Sequence, residues 1–500
     1  MDSANQGEGS TVQHPAESAT PHAAADVAAL YCTRLARYAA AMRGGTPDRV
    51  PIRPFVAEFT GRYAGFTCQE MAHDYENAFA AARKCAADFD WDAVVPNMLA
   101  TWTGATQAIG LKYYMAPGIE LPADVGHQYR EPPPEQAWMQ ADEYDALIED
   151  PTGYLYNVWF PRVAAPLSPI GEPVTFEHNL SLVKGAMALM RFLAAWGEQE
   201  QRLRTEIGVV PAIAGMLRAP LDFIADKLRG YLGLVDDLFE RPGQVRAACE
   251  ALMPHLAHFA LATADPSRQV PVGFWMHRGC VPFISFQHFN EIYWPTLRPI
   301  VETLWAHGHQ TLFYAEGDWD HHLQAFAELP ERSIVYHVDQ GDIFQAHKVL
   351  GEKFCLSGGI PNFLLGFRPP AEVRNYCRRV IEGVARDGGY ILDASAIIQN
   401  DARVENIRAL TEAGREYGVY SQGHAVAPEP RALSGVALEG APLLPGIDAV
   451  GARPPGTCLP WDFVRDSRPP VRGDEAVCRR VWDSIDAMSN LYIWWIALVF

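Results

Sequence analysis

The stretch from Gln310 to Asn406 constrains the fold most, because it alternates short apolar runs with longer segments of helical periodicity. Each apolar run is about five residues long and ends at polar or glycine-rich residues, as buried strands do. Most runs precede a longer segment in which apolar residues recur three or four positions apart, the period of an amphipathic helix. Strand and helix repeated in this order feed a parallel sheet, so we predict an α/β fold of the (β/α)8 TIM-barrel type.

Polar side chains come directly after the apolar runs, where the strands are expected to end. They are Glu316 and Asp318, His337 and Asp339, Ser357, and Asp393 and Ser395. In a (β/α)8 barrel the carboxyl ends of the strands form the face that carries the chemistry. We therefore predict that the functional site lies at this face.

The regions outside the alternating stretch differ in composition and suggest a division of the chain. Residues 1–25 are rich in Ser, Gly, Gln, Ala and His without apolar periodicity, which predicts a disordered tail. Residues 26–421 are expected to form the barrel, with a Pro-, Tyr- and Trp-rich insertion between about 100 and 180 that caps one face. Residues 422–500 are expected to form a C-terminal extension, for which the pattern predicts no definite structure.

Two short segments carry more local predictions. The segment VAEFTGRYAGFT, residues 56–67, reads as the polar loop that follows the first barrel strand. The final segment LYIWWIALVF is wholly apolar but too short to span a bilayer, which takes about 20 residues. We expect this end to be either a packed strand or the product of an altered gene end.

The bulk composition disfavours some partners and leaves others open. The chain has 500 residues with 41 basic and 60 acidic side chains, and the net charge of −19 disfavours binding to nucleic acid or an anionic membrane. The nine cysteines include no CxxC pair, and the first residues lack the apolar core of a signal peptide. These features predict a cytoplasmic protein with reduced thiols that acts on a small molecule, and a homodimer stays open.

Several segments, in their order and spacing, resemble the uroporphyrinogen decarboxylase superfamily. They are RPFVAEFTGRYAGF, WDAVVPNMLATWTGATQAIGLKYYMAPG, LVDDLFERPGQV, FISFQHFNEIYWPTLRPIVETLWAHG and GEKFCLSGGIPNFLLGFRPPAEV with the DGGYILDAS and VENIRAL segments that follow it. The resemblance extends from about residue 50 to 420. It implies a single (β/α)8 barrel and one of two activities, decarboxylation of a tetrapyrrole or zinc-dependent methyl transfer with a corrinoid or coenzyme M.

The decarboxylase subgroup implies an aspartate that binds pyrrole N–H groups, two arginines that bind carboxylates, and a histidine near the last strand. By the resemblance the aspartate position is Asn97, and the arginine positions are Glu58 and Arg62. The histidine position falls at or near Ala396. Only Arg62 keeps the residue type, and we expect its guanidinium to bind an anionic group of the substrate. These departures count against tetrapyrrole decarboxylation.

The methyltransferase subgroup implies a His-x-Cys zinc motif and a distant cysteine. In this chain the motif positions read Tyr314-Ala315-Glu316, and the distant position again falls near Ala396. The usual zinc ligands are therefore replaced, although Glu316 and His337 could bind zinc as harder ligands if their strands converge. The chain also lacks the D-x-H-x-x-G signature of a corrinoid-binding module, so a corrinoid would have to be carried by a partner protein.

Several candidate residues have competing structural interpretations. Asp318 could instead cap the helix after its loop, and His277 could be a satisfied core histidine. His337 and Asp339, two residues apart on a strand, could act together, or Asp339 could cap the helix that begins near 342. Asn97 could orient substrate or be a buried amide. Tyr113, Tyr114, Tyr154, Tyr156 and Trp159 could line a pocket or simply cover the barrel.

The leading hypothesis is a methyltransferase that moves a methyl group from a small methylated substrate to a partner corrinoid protein. The predicted catalytic residues are Glu316, Asp318, Asn97 and His277. The predicted substrate-binding residues are Arg62, Glu58, Tyr314, His337, Asp339 and Asp393. The alternatives are a uroporphyrinogen decarboxylase of porphyrin biosynthesis and a non-catalytic protein that binds a tetrapyrrole or corrinoid.

Overall fold

The structure, a computed structural model, describes residues 24–95, 102–168, 171–421 and 453–499. Its strands are, in chain order, β1 (Ala93–Val94), β2 (Tyr114–Met115), β3 (Gln128–Tyr129), β4 (Val210–Pro211), β5 (Met216–Arg218), β6 (Val272–Met276), β7 (Thr311–Ala315), β8 (Ile334–Val338), β9 (Cys355–Gly358) and β10 (Tyr390–Ile391). Strands β5 to β10 form one parallel sheet in the order β10-β9-β8-β7-β6-β5. The residues of β6, β7 and β8 are all buried, as expected for parallel strands covered on both faces.

Backbone hydrogen bonds close this sheet into a ring. The Leu392 N–H donates to the Pro51 carbonyl at 2.9 Å and the Asp92 N–H to the Ile52 carbonyl at 3.0 Å, so the segment 51–56 joins β10 to β1. Strand β1 pairs in parallel with β4, which leads directly into β5. The ring of parallel segments is therefore 51–56, β1, β4 with β5, and β6 through β10. The predicted (β/α)8 barrel is confirmed.

Helices surround the barrel and fill its connections. The α-helices are Ala24–Met42, Phe59–Ala64, Cys68–His73, Tyr75–Asp88, Thr103–Ala108, Tyr144–Glu149, Pro151–Tyr154, Phe160–Val163, Phe176–Arg202, Pro220–Phe223, Gly230–Glu240, Pro242–Thr263, Phe286–His288, Trp294–Ala306, Leu323–Phe326, Ile343–Leu350, Asn362–Phe367, Pro370–Val384, Val404–Tyr417, Trp461–Val464 and Glu475–Val499. The π-helical turns are Leu155–Trp159, Leu203–Ile207, Ile224–Arg229 and Phe289–Tyr293, and the 3-10 turns are Pro134–Gln136, Asp320–His322 and Arg465–Ser467. Helices follow β6, β7, β8, β9 and β10 in turn, which is the alternation that the sequence showed.

The polar loop predicted after the first barrel strand is wrong, because a helix spans Phe59–Ala64 there. Its first residues, Phe59, Thr60 and Gly61, are buried. The helix ends at Gly65, whose φ of 89° lies in the left-handed region and ends helices readily. Burial of this turn against the barrel outweighs the polar local composition.

The packed strand predicted for the C-terminal segment is also wrong, because residues 491–499 belong to the helix Glu475–Val499. A short apolar run does not by itself distinguish a strand from a buried helix. Here Ile493, Trp494, Ile496 and Ala497 are buried against the rest of the chain. The Trp494 indole donates to the Thr152 hydroxyl at 3.1 Å, so this helix packs on the insertion.

The helical region Phe176–Ile207 is long and apolar enough to cross a membrane by length and composition alone. Its most apolar window has a mean hydropathy of 1.2, and 22% of that window is buried. Ser181, Gly185 and Leu189 form part of its buried side. Helices that pack on soluble proteins also meet this criterion, so the finding is weak evidence for a membrane span.

Candidate active site

A cavity of about 400 Å³ opens at the carboxyl end of the barrel strands. Its wall is formed by residues at the ends of β5 through β8, by the hairpin β2–β3 of the insertion and by a helical turn after β5. The lining residues are Tyr113, Tyr114, Tyr129, Arg218, Asp226, His277, Arg278, Phe283, Glu316, Gly317, Asp339, Gln340 and Ala396. The size is that of a small-molecule site. The cavity therefore lies at the face where the sequence predicted the chemistry.

Asp226 lies at the centre of a cluster of cations in this cavity. Its Oδ2 accepts from Arg218 Nη1 and from His277 Nε2, each at 2.5 Å, and its Oδ1 accepts from Arg278 Nε at 3.1 Å. Burial alone would raise the pKa of Asp226, but the surrounding cations hold that pKa well below its usual range. Asp226 is therefore a fixed anion that orients three donors around the cavity.

His277 is brought into the cavity rather than into the core. Burial lowers the pKa of its imidazole, but the contact with Asp226 outweighs this effect and raises the pKa above its usual value. With Nε2 on Asp226, Nδ1 has no hydrogen-bond partner and lies 3.8 Å from Glu316 Oε2. The structure thus places an imidazole with a raised pKa beside Glu316, and its Nδ1 is available to a substrate atom.

Glu316 and Asp339 are neighbouring carboxyl groups that follow adjacent strands. Glu316 Oε1 accepts from the Trp275 indole at 3.2 Å, and its side chain is 33% exposed. Asp339 Oδ2 accepts from the Gly317 N–H at 2.8 Å. Burial, together with the charge of Glu316, raises the pKa of Asp339 to about 6. Asp339 can therefore hold or release a proton near neutral pH, as a general acid requires.

Sequence reasoning missed Asp226, Arg218 and Arg278. The segment that contains Asp226 reads as an ordinary helix, and Arg218 ends a short strand that precedes it. The available signal was the pair Asp222 and Asp226, one helical turn apart in an otherwise apolar stretch. Asp222 is also buried, and its carboxylate accepts from the Tyr293 hydroxyl at 2.9 Å and from the Arg278 N–H at 2.6 Å.

His337 lies inside the barrel, below the cavity, and is fully buried. Its Nε2 bonds to the Ser395 carbonyl at 2.7 Å and its Nδ1 to the Ser357 hydroxyl at 3.0 Å. Burial and the nearby charge of Arg53 lower the pKa of His337 to about 3, so the ring is neutral. His337 and Asp339 therefore do not act together: His337 belongs to the barrel interior, whereas Asp339 lines the cavity. The cap of the following helix is Asp342, not Asp339.

Asp393 and Tyr314 belong to the same buried interior. Asp393 Oδ2 accepts from Arg53 Nη2 at 3.0 Å, and burial raises the pKa of Asp393 to about 7 against the effect of Arg53. Tyr314 is fully buried between Trp275 and His337, at centroid distances of 4.2 and 4.5 Å. Neither side chain lines the cavity. The structure therefore places Tyr314, His337 and Asp393, which were expected to bind substrate, inside the barrel and outside the lining of the cavity.

The remaining predicted residues lie elsewhere. Arg62 is exposed and donates to the Asn400 carbonyl, and Glu58 is a partly buried carboxyl whose pKa is raised by burial. Neither lines the cavity. Asp318 Oδ1 accepts from the Asp320 N–H at 3.0 Å and so contacts the first residue of the 3-10 turn Asp320–His322, although the N-cap of that turn is Trp319. Asn97 lies outside the described residues.

The aromatic residues of the insertion divide between two uses. Tyr113 and Tyr114 line the cavity, and Tyr129 joins them from the other strand of the hairpin. Tyr154, Tyr156 and Trp159 do not line it. They pack between the insertion and the rest of the chain; for example, the Trp159 indole donates to the Lys227 carbonyl at 2.6 Å.

The donor set of the cavity does not fit a zinc ion. Glu316 is separated from His337, whose two ring nitrogens are both engaged inside the barrel. The other carboxylate beside His277 is Asp226, which already carries two guanidinium groups, and their charge opposes a bound cation. Across the part of the chain that the structure describes, no group of three or more His, Cys, Asp and Glu side chains could hold a metal.

Comparison with known proteins indicates the family to which the central and C-terminal part of the barrel is similar. The sequence profile of uroporphyrinogen decarboxylase (URO-D) matches residues 173–417, which include all the charged lining residues. This region of the chain therefore belongs to the uroporphyrinogen decarboxylase superfamily. A methyltransferase from Methanosarcina mazei is similar in structure, with a TM-score of 0.51 and 15% sequence identity over 77% of this chain and 98% of that one. At this identity the likeness shows the barrel fold alone, and no curated protein matches the chain.

Proposed function

We propose that this member of the superfamily moves a methyl group from a small methylated substrate to a corrinoid carried by a partner protein. The observation that carries the proposal is the pairing of Asp339, whose pKa is about 6, with Glu316 and with His277, whose pKa is raised, in one small cavity. An ether or amine releases its methyl group only when the leaving atom is protonated or otherwise activated. The cavity offers that proton in a partly enclosed space.

The corrinoid would supply the nucleophile, and this chain would supply the acid. In the proposed step the bond between the methyl carbon and its oxygen or nitrogen breaks, and the bonding electrons stay on that leaving atom. Asp339, with Glu316 beside it, donates the proton that the leaving atom takes up. His277, held by Asp226, has an unpartnered Nδ1 in the cavity that can form a hydrogen bond with the departing group.

Two unpartnered donors support a polar group on the substrate. Arg218 Nε and His277 Nδ1 are both buried and have no hydrogen-bond partner, although both side chains line the cavity. Buried donors left unpaired cost free energy, which a substrate oxygen between them would recover. Tyr113, Tyr114 and Tyr129 supply the apolar wall against which a small organic group packs.

The tetrapyrrole decarboxylase alternative has less support. Arg218 and Arg278, the arginines in the cavity, are already bound to Asp226, so they are not free to hold the many carboxylates of uroporphyrinogen. Arg62, which keeps the residue type of the family position, is exposed and engaged with Asn400. A cavity of about 400 Å³ also favours a compact substrate.

The test follows methyl transfer to reduced cobalamin by absorbance, with a panel of small methyl ethers and methylamines as donors. Asp339→Asn and Glu316→Gln should each reduce the rate about a hundredfold or more, because general acids contribute that much. Glu291→Gln, which changes an exposed acid on the helix after β6, is the matched control and should retain the rate. Unchanged rates in both cavity variants would refute this assignment. Cobalamin binding without turnover of any donor would favour the binding-protein alternative.

A further inference from the structure

The helix Phe176–Arg202 carries a stripe of large apolar side chains that the rest of the described chain does not cover. The exposed fractions are 81% for Phe176, 37% for Leu180, 57% for Val183, 67% for Met187 and 60% for Met190. These five residues are called the apolar stripe below. Exposed Leu or Met side chains are ordinary when they are scattered, but a contiguous row on one helix marks an interaction surface.

The spacing of the stripe indicates what it binds. Its members are separated by four, three, four and three positions, which is the a/d pattern of a heptad repeat. A residue pair repeated every seven positions forms a nearly straight seam that another helix fills with its own side chains. Ser181, Gly185, Leu189 and Phe192 on another side of the helix are buried against the protein. The stripe is therefore available to a second helix.

The apolar surface is large enough for a stable contact. With ordinary side-chain areas, the stripe exposes on the order of 600 Å² per copy, close to the share of one partner in a standard interface. The neighbouring element on this side is the C-terminal helix Glu475–Val499. The two helices touch, since a Cβ added at Gly185 would lie 2.9 Å from the Tyr492 hydroxyl.

We propose that a second copy of this chain covers the stripe, with the two helices antiparallel about a two-fold axis. In an antiparallel pair each a position faces a d position of the other helix. The stripe satisfies this rule with itself: Val183 faces Met187 of the second copy, and Leu180 faces Met190 of the second copy. A two-fold axis needs such self-complementarity, because the same patch serves both partners.

Charge also favours a second copy. The chain as a whole has a net charge of −19, which opposes self-association. The charged residues within the length of the stripe are Glu177, Lys184 and Arg191, which are of mixed sign and not predominantly acidic. The stripe is therefore a place where two copies meet without the repulsion that the average surface would produce.

Sedimentation of the full-length protein tests the proposal. We expect a species of twice the 55.4 kDa chain mass that dissociates on dilution. Met187→Lys should give a monomer, whereas Phe367→Lys, which also changes a side chain that is 67% exposed, should leave the dimer intact. A wild-type monomer at all concentrations would overturn the proposal, whether the stripe is covered by another segment of the same chain or by lipid. A dimer that survives Met187→Lys would overturn it as well.

A charge-pairing experiment excludes misfolding as the cause of dissociation. One chain carries Val183→Lys and Met187→Lys, and the other carries Val183→Glu and Met187→Glu. Each should be monomeric alone, and mixing the two should restore a dimer that contains one of each, because position 183 faces position 187 across the axis. Failure of the mixture to associate, with both chains folded by circular dichroism, would contradict the antiparallel register.

Discussion

At the scale of single residues, the pKa of Asp339 links the site to measurable behaviour. Asp339 is more deeply buried than an ordinary surface carboxyl group, and this burial raises the pKa of Asp339 to about 6. Below the unfolded pKa the group is protonated in both states and does not affect stability. Between about pH 4 and 6 the unfolded chain releases the proton while the folded chain keeps it, so wild-type stability falls as pH rises through this window.

Asp339→Asn removes this dependence, because the amide does not ionise. We compare the free energy of unfolding of the variant with that of the wild type at two pH values, one below and one above this window. The difference, variant minus wild type, should be larger by roughly 2 kcal/mol at the higher pH. Urea denaturation of both proteins on either side of the window measures the difference. An equal difference at both pH values would show that Asp339 titrates normally.

The buried pair Arg53 and Asp393 predicts an asymmetric pair of mutational effects. A guanidinium cannot lose its charge, whereas an isolated carboxyl can take up a proton. Asp393→Asn should therefore cost about 3–5 kcal/mol, since it leaves Arg53 charged inside the barrel. Arg53→Met should cost less, and its cost should decrease further as pH falls. Chemical denaturation measures both, and equal costs at all pH values would contradict this explanation.

At the scale of elements, the C-terminal helix shows where local pattern and packing diverge. Its last residues were expected to form a strand, because an apolar run without a clear period fits either element. Tertiary contacts select the helix: Trp494 is fully buried, stacks on His255 at a centroid distance of 5.5 Å and bonds to Thr152 of the insertion. The helix thus binds parts of the chain that are more than two hundred residues away.

This packing predicts a large effect at Trp494 and a small one nearby. Trp494→Ala should destabilise the protein by about 3–5 kcal/mol, because the removed indole leaves a buried cavity. Val481→Ala on the same helix, where the side chain is 62% exposed, is the control and should change stability by less than about 0.5 kcal/mol. Thermal or urea unfolding compares the two. A small effect of Trp494→Ala would show that the helix end is not part of the cooperative core.

At the scale of the whole molecule, the acidic surface and the apolar stripe have opposite effects on self-association. Copies that carry a net charge of −19 repel one another, whereas burial of the stripe does not depend on charge. Salt screens the repulsion over a distance that shrinks as ionic strength rises. The proposed dimer should therefore dissociate less at high than at low ionic strength, as measured by sedimentation over a dilution series. Weaker association in salt would indicate that ion pairs hold the copies together.

The sequence by itself determined the barrel and one edge of its site. The alternating strands and helices specify a parallel sheet, and the carboxyl ends of parallel strands meet at one face. Glu316 and Asp339 were expected at that face, and the structure places both of them, together with His277, in the lining of one cavity. This part was predictable because it depends only on position along each strand.

Only the tertiary structure decided which side chains act together. Asp226 joins Arg218 to His277 and Arg278, more than fifty residues further along the chain, and no local pattern specifies that contact. Likewise, His337 and Asp339 lie two positions apart, yet the first is fixed inside the barrel by Ser357 and Ser395. Side-chain pairing depends on depth within the barrel and on neighbouring strands and helices. Sequence spacing reports the face of an element, but not its depth or its partners across the fold.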